Sequence, residues 1–322
     1  MTGEHPAAGG PAGPPLGRAG VDRAAHRRAD SRWLAEAWER AKVLVVDTAA
    51  GGRALAGPAA ERPGLLLLDA AQVGPHDPRA RLFLGVEPDG TPVFAVDAPL
   101  PPSGTAPRVS LRESGHLLSD RDAGLLTTAV ALANWHARHR YSPVTGQPTE
   151  IAEAGWSRVE PDGGQLWPRT DPAMIVLVHD GVAGPDGRCL LGRNAAWPEH
   201  RDGRRFSCLA GYVEPGESAE AAVLREVGEE VGLPVRHIAY AGSQSWPFPG
   251  SLMLGFLAVA DPDAPLRLDP TEIAQARWFS RREVAGVLAG DRLDVGDGRR
   301  LVLPPPSSIA LFLVDRWLAG AG

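Results

Sequence analysis

The stretch from Ser218 to Gly232, SAEAAVLREVGEEVG, leaves a folding chain few alternatives. Ser218 suits an N-cap, because its hydroxyl can accept from the unpaired amides of a first helical turn. Gly232 suits the left-handed residue that ends a helix. Between them Val223, Val227 and Val231 recur every four residues and form an apolar stripe that needs a core. Beside the stripe, Glu226, Glu229 and Glu230 stand at i, i+3 and i+4 and share a neighbouring face. Like charges at that spacing repel, and the face costs stability unless a cation or strong donors sit among them.

Two readings of the carboxylates follow. One is a solvated, glutamate-rich surface. The other is an oxygen platform for a hard divalent cation, Mg²⁺ or Mn²⁺, that holds a phosphate-containing substrate. The surrounding frame separates them. Gly211, Glu217, Arg225-Glu226-Val227, Glu229-Glu230 and Gly232-Leu233 are spaced as in a Nudix box, and the segment 211–233 resembles that motif at every specified position. The resemblance implies a loop–helix–loop unit and hydrolysis of a nucleoside diphosphate linked to another moiety. Within that frame Glu226 and Glu230 are the first choices as metal ligands, with Glu229 as an additional one. Arg225 is placed to hold carboxylates, with Glu229 at i+4 as one partner. Glu217 fixes the loop by hydrogen bonds, and Gly211 lets the backbone come close to metal or phosphate. Metal would polarise the diphosphate and activate a water for attack at phosphorus. No general base is assigned.

Ten residues further on the chain reads SQSWPFPGSLM, 243–253. Taken alone, it is a proline-stiffened loop with aromatic filler. After a Nudix box it resembles the SQPWPFPxS signature of the NADH pyrophosphatase family, with Ser245 in place of the first proline. Gln244, Trp246, Phe248 and Ser251 are then expected to present a preorganised wall to a dinucleotide. Met253 and Ala310 match further lining positions. WHARHRYSPVTG (135–146), GGQLWPRTDPAMIVLV (163–178), DPTEIAQARWF (269–279) and LPPPSSIA (303–310) follow in family order. Tyr212 and Trp167 stand where the family has aromatics near the nicotinamide, although core packing is the plain alternative for Trp167. Glu272, in DPTEI, matches a glutamate that joins the metal cluster from outside the box. Its plain alternative is a surface helix-start residue.

The resemblance implies cleavage of NADH or NAD⁺ to NMN(H) and AMP, and removal of an NAD cap from RNA 5′ ends. It also implies a homodimer. Two rivals remain: a Nudix hydrolase for another nucleotide such as ADP-ribose, and a non-hydrolytic Nudix nucleotide sensor. The signature at 243–251 speaks against the first. The intact carboxylates speak against the second.

The expected fold class is α+β, a Nudix α/β/α sandwich preceded by a smaller, mostly β N-terminal domain and a short connector. Residues 1–30 are rich in Ala, Gly and Pro and read as a disordered tail. Residues 31–119 form the N-terminal domain, with strands at Gly64–Asp69, Arg81–Val86 and Pro92–Val96. Residues 120–170 form a helix, with Asp120 as its expected N-cap, and the connector; 171–322 form the Nudix domain. The family commonly carries a zinc ribbon in the connector. Here the four cysteine positions fall on Ser142, Thr145, Val159 and Asp162, which are poor zinc ligands or none. His136 and His139, at i and i+3, read as ordinary helix residues. No zinc is expected.

Composition excludes several other classes. A net charge of −6 argues against a protein that wraps nucleic acid by charge alone. Arg201–Arg205 (RDGRR) reads as a solvated loop in preference to an RNA-steering patch. Only Cys189 and Cys208 are present, so neither a disulfide framework nor a four-cysteine metal site can form. Both lie in apolar contexts and read as structural thiols. No stretch has the apolar length of a signal-peptide core or a membrane span, so no membrane partner and a cytoplasmic location are expected.

Overall fold

The computed structural model describes residues 13–18, 20–57, 63–102, 106–198 and 203–320. The N-terminal domain runs α1 (Ser31–Trp38), β1 (Lys42–Val46), β2 (Arg53–Gly57), β3 (Gly64–Leu65), β4 (Leu68–Asp69), β5 (Leu82–Val86), β6 (Pro92–Asp97), β7 (Arg108–Ser110), α2 (Leu111–Ser114) and α3 (Asp120–Arg138). Its main sheet has the order β4-β1-β6-β5, and β3-β2-β7 form a second, smaller one. Strand residues alternate between faces. Val43, Phe83, Phe94 and Val96 pack with Trp38 of α1. Leu44, Leu84 and Ala95 point the other way, onto Leu125, Ala129 and Leu132 of α3.

Helix α3 therefore completes the core of the N-terminal domain instead of opening the connector. Its cap is Ser119, whose hydroxyl accepts from the Asp122 amide, one residue before the expected Asp120. The expected single strand at Gly64–Asp69 is split into β3 and β4, which belong to different sheets.

The expected tail also differs. Residues 1–12 and 19 lie outside the described residues. Leu16 is buried against α3, and Arg18 donates to the carbonyls of Gly115 and Leu118 and pairs with Asp120 at 2.8 Å. One apolar anchor and one multiply bonded guanidinium tie this segment down despite its composition.

The connector is the antiparallel sheet β8 (Glu150–Ala152), β9 (Ser157–Val159) and β10 (Gln165–Leu166). Hydrogen bonds close it where a ribbon would use metal. The Ser142 hydroxyl accepts from the amides of Val144 and Thr145. Buried Arg158 donates to the Thr149 hydroxyl at 2.6 Å, the Thr149 carbonyl at 2.6 Å and His136 Nδ1 at 3.1 Å. Because guanidinium only donates, His136 carries its proton on Nε2 and donates to the Gly155 carbonyl.

Burial, with Arg158 and His139 adding repulsion, holds the His136 imidazole down to about 4 from its ordinary 6.5. The unfolded chain therefore takes up this proton before the folded one does. Stability is expected to fall as pH drops from 6.5 towards 4, by about 3 kcal/mol from this group. Urea unfolding of wild type and His136→Gln at pH 7 and pH 4.5 checks it. The difference in stability loss between the two chains should carry this amount, and identical losses would refute it.

The C-terminal domain follows: β11 (Asp171–His179), β12 (Arg188–Asn194), β13 (Arg204–Arg205), β14 (Leu209–Tyr212), α4 (Ala219–Val231), β15 (Arg236–Trp246), β16 (Ser251–Val259), β17 (Ile273–Ser280), α5 (Arg281–Leu288), β18 (Leu301–Val302) and α6 (Ile309–Leu318). The sheet order is β15-β16-β11-β12-β17, with β14 also on β11. Strands β11 and β16 run parallel in register from Asp171↔Ser251 to His179↔Val259. Both faces of β11 are covered, which explains its unbroken apolar run. Met174, Val176 and Val178 meet Val223, Val227 and Val231 of α4. Ile175 and Leu177 meet Leu313, Val314 and Trp317 of α6. This is the α/β/α sandwich expected. Arg204 is held by Gln275 and Asp297, while Arg201 and Asp202 lie outside the described residues. Among the described residues no helix is long and apolar enough to cross a membrane.

Candidate active site

Helix α4 starts at Ser218, whose hydroxyl accepts from the Ala221 amide, and ends at Gly232 with φ 72°. The valine stripe pins it to the sheet and thereby turns Glu226 and Glu230 inward, at 8% and 4% exposure. Glu229, one position round, stays exposed. The three carboxylates that share a face in the sequence are thus divided into two buried and one solvated.

Arg225 organises the unit. Its guanidinium donates to Glu217 through Nε and Nη2, both at 2.9 Å. Nη1 reaches Glu226 Oε1 at 2.8 Å and Glu229 Oε2 at 3.1 Å. Nη2 also donates to the Tyr212 carbonyl at 2.9 Å, which ties helix to strand β14. These bonds hold Glu217 below the usual carboxylate range and raise Arg225 above its own. Glu217 also accepts from the Glu214 amide, so it braces the loop as expected.

Gly211 lies on β14 opposite Met174, and a Cβ built there would overlap the Glu226 carboxyl group. The absent side chain is the space that Glu226 occupies. Burial raises Glu226, with Arg225 partly offsetting it. Glu230 is pushed up to about 8 by burial and by the charges of Glu226 and Glu272. Its Oε2 is buried without a hydrogen-bond partner. A buried carboxylate oxygen without a partner is one that a cation would satisfy. The donor set, all oxygen, fits a hard divalent ion. Among the described residues no three metal-ligating side chains are gathered into one shell, and Arg225 engages Glu226 and Glu229.

Glu272 is exposed and 42 positions beyond Glu230 in sequence, yet close enough for its charge to act on both buried carboxylates. The Asp269 amide donates to the Glu230 carbonyl at 3.1 Å and brings that loop to the end of α4. Asp269 in turn accepts from the amide and hydroxyl of Thr271. The sequence reading missed Asp269 and the Tyr212 carbonyl as supports. The D-P-T-E turn carried a signal for the first, and a backbone acceptor carries none.

The other expected residues divide into two groups. Tyr212, 56% exposed, offers its carbonyl to Arg225, and its hydroxyl is 3.4 Å from Ser251 Oγ. Trp167, 58% exposed, is free of any core and precedes β11. Ser251 is buried on β16, Met253 is half-buried nearby, and Ala310 is buried on α6 with its carbonyl accepting from the Cys208 thiol. Burial raises both thiols, which are inert structural groups here as expected.

Gln244, Trp246 and Phe248 lie at the seam between the two domains. Gln244 is 1% exposed; its Oε1 accepts from the Leu16 amide at 3.1 Å and its Nε2 donates to the Ser307 carbonyl at 3.0 Å. Trp246 and Phe248 pack against the core of the N-terminal domain, with Arg112 lying 3.9 Å over the Phe248 ring. Gln244 and Trp246 share one face of β15 and Phe248 follows in the turn beyond it, and the three join the two domains.

Comparison with known proteins gives the family. The NUDIX domain matches residues 170–297, and the NADH pyrophosphatase-like rudimentary NUDIX domain matches residues 33–135. The NAD-capped RNA hydrolase NudC of Mycobacterium tuberculosis is 43% identical over 316 residues, covering 95% of each chain. The human NAD-capped RNA hydrolase NUDT12 is 38% identical over 212 residues, 62% of this chain and 43% of that protein. Among solved structures, the NUDIX domain of Shewanella oneidensis NrtR aligns at TM-score 0.36 and 14% identity over 48% of this chain and 90% of that one. The chain belongs to the Nudix hydrolases, in the branch that pairs the Nudix domain with an NADH pyrophosphatase-like N-terminal domain.

Proposed function

We propose that the protein hydrolyses the diphosphate of NADH and NAD⁺ to NMN(H) and AMP and removes NAD caps from RNA 5′ ends. The observation that carries this is the buried Glu226–Glu230 pair with an orphaned oxygen, held by Arg225 within the full Nudix frame. Glu226, Glu230, Glu229 and Glu272 would hold Mg²⁺ or Mn²⁺. The bound ion supplies Lewis-acid polarisation of the diphosphate and activation of water. The chain's own residues do the rest. Arg225 holds Glu226 and Glu229 in place by hydrogen bonds, and Glu217 locks Arg225 in turn. The Tyr212 ring offers a flat face for the nicotinamide, and Trp167 a second one.

The two aromatics, both more than half exposed, support a homodimer in which a second chain covers them. Free, buried Cys189 and Cys208 suit a reducing cytoplasm. The Arg158–His136–Thr149 network supports a connector that holds without zinc. Elemental analysis should find no stoichiometric zinc, and one zinc per chain would refute this.

The direct test is product analysis with NADH, NAD⁺, ADP-ribose and NAD-capped RNA in Mg²⁺ and in Mn²⁺. NMN(H) and AMP should appear from the dinucleotides. Much faster turnover of ADP-ribose would shift the assignment to another Nudix substrate. Binding of NADH without release of AMP would make the protein a sensor.

A further inference from the structure

Residues 13–18 and 20–24 belong to no helix or strand, yet they touch both domains and the connector. On the Nudix side, the Leu16 amide donates to Gln244 Oε1 at 3.1 Å. Gln244 Nε2 donates on to the Ser307 carbonyl, and the Ser307 hydroxyl donates to the Arg112 carbonyl at 2.5 Å. A Cβ at Gly17 would stand 2.7 Å from the Ser243 carbonyl oxygen, so the two backbones are in contact there.

On the side of the N-terminal domain, the Arg18 side chain is 14% exposed and spans the Gly115 and Leu118 carbonyls and Asp120. A Cβ at Gly20 would stand 2.6 Å from Arg121 Cα, at the start of α3. Asp22 exchanges two backbone hydrogen bonds with Val86, at 3.2 and 2.7 Å, on the otherwise unpaired edge of β5. On the connector, the Arg23 guanidinium lies 5.4 Å from the centre of the Trp156 ring.

The segment has no core of its own. Ordering each residue costs chain entropy, and one buried leucine, one multiply bonded guanidinium and a few backbone bonds offset it. Segments held by so little open before the domains they cross. When this one opens, Gln244 Oε1, on a side chain 1% exposed, loses its donor, and the edge of β5 loses its cover.

We propose that the segment 13–24 is an interdomain strap. Docked, it clamps the two domains and the connector into one body; released, it frees the seam while both domains stay folded. The seam leads to the substrate side through β15 and β16. Gln244 pairs with Met253 and Trp246 with Ser251, whose hydroxyl is 3.4 Å from that of Tyr212. The carboxylates of α4 lie outside this path. A change in substrate binding on release rests on the hydrolase reading; the strap itself does not.

Native-state hydrogen exchange of the full chain tests it, with the amides of Leu16, Val86 and Phe248 as reporters and those of α4 as the control. In wild type the three reporters should open together and ahead of α4. Leu16→Asp places a charge at a position 2% exposed and should speed all three at least about a hundredfold. Arg18→Ala should speed them about tenfold, and Leu16→Met should preserve wild-type exchange. Acceleration confined to Leu16 would make the segment a passenger and overturn the proposal. So would unchanged exchange in Leu16→Asp, or equal acceleration of α4 in Leu16→Asp and Arg18→Ala, which would make the segment part of the global core. With NADH, Leu16→Asp should raise KM several-fold and keep kcat within about twofold. An open seam with unchanged KM would overturn the coupling to substrate and leave the hydrolase assignment intact. Absence of hydrolysis in wild type would overturn both of those, while exchange still decides the strap.

Discussion

Glu230→Gln is expected to abolish hydrolysis while making the metal-free protein more stable at pH 8. The carboxyl is 4% exposed, one oxygen has no partner, and two further glutamates act on it. Its pKa is about 8 in the folded chain against an ordinary 4.5. The sign follows from proton linkage. Between those values the folded chain holds a proton that the unfolded chain has released. Folding is therefore favoured at low pH, and stability declines as pH rises from 4.5 through 8, by roughly 4 kcal/mol over the whole window. A glutamine has no charge to bury, although its amide donors must find partners at a cost of about 1–3 kcal/mol.

The net gain at pH 8 should therefore be about 1–3 kcal/mol, vanishing or reversing near pH 5. Chemical denaturation in EDTA at both pH values measures it. Added Mn²⁺ should raise the Tm of wild type and not of the variant, because one ligand is gone. Turnover should fall on the order of a thousandfold, the scale of losing a group that positions charge in the transition state. Equal pH slopes for the two chains, or full activity in the variant, would show that Glu230 is neither a buried charge nor a ligand.

Gly211→Ala should separate activity from folding in another way. The backbone at 211 is ordinary strand, paired in β14, so alanine fits the main chain. The added methyl, however, occupies the place of the Glu226 carboxyl group. Glu226 must swing away and give up its 2.8 Å bond with Arg225. We expect kcat to drop about a hundredfold, on the scale at which a misplacement of about 1 Å costs that much, with a stability loss of about 1–2 kcal/mol. Mn²⁺ should also bind more weakly by calorimetry. Gly216→Ala provides the comparison: there φ is +87° and nothing lies within reach of the new methyl. Its cost should be backbone strain, seen in Tm, with the metal affinity retained. If Gly211→Ala kept wild-type kcat, the close approach of β14 to Glu226 would have no catalytic meaning.

Much of this site is legible in a linear reading because it is local. A cap, a valine stripe, a terminal glycine and carboxylates at fixed spacing all lie within a single helix, whose 3.6-residue period sets their mutual directions. The same holds for Arg225 and Glu217, eight residues apart and joined by two hydrogen bonds. The alternation of strands is likewise local, and the parallel β11–β16 core follows from unbroken apolar runs.

What the sequence by itself determined was therefore the box, its carboxylates and the arginine that fixes them. Only the tertiary structure decided which of three equivalent glutamates would be buried, because that depends on where the sheet lies relative to the valine stripe. It also set Gln244, Trp246 and Phe248 in the domain seam, where Leu16, from more than 200 residues earlier, meets Gln244. A chain read in one dimension shows which groups can bond. Which of them lose water depends on contacts between distant segments, and desolvation sets the charge and reach of Glu230 and His136 alike.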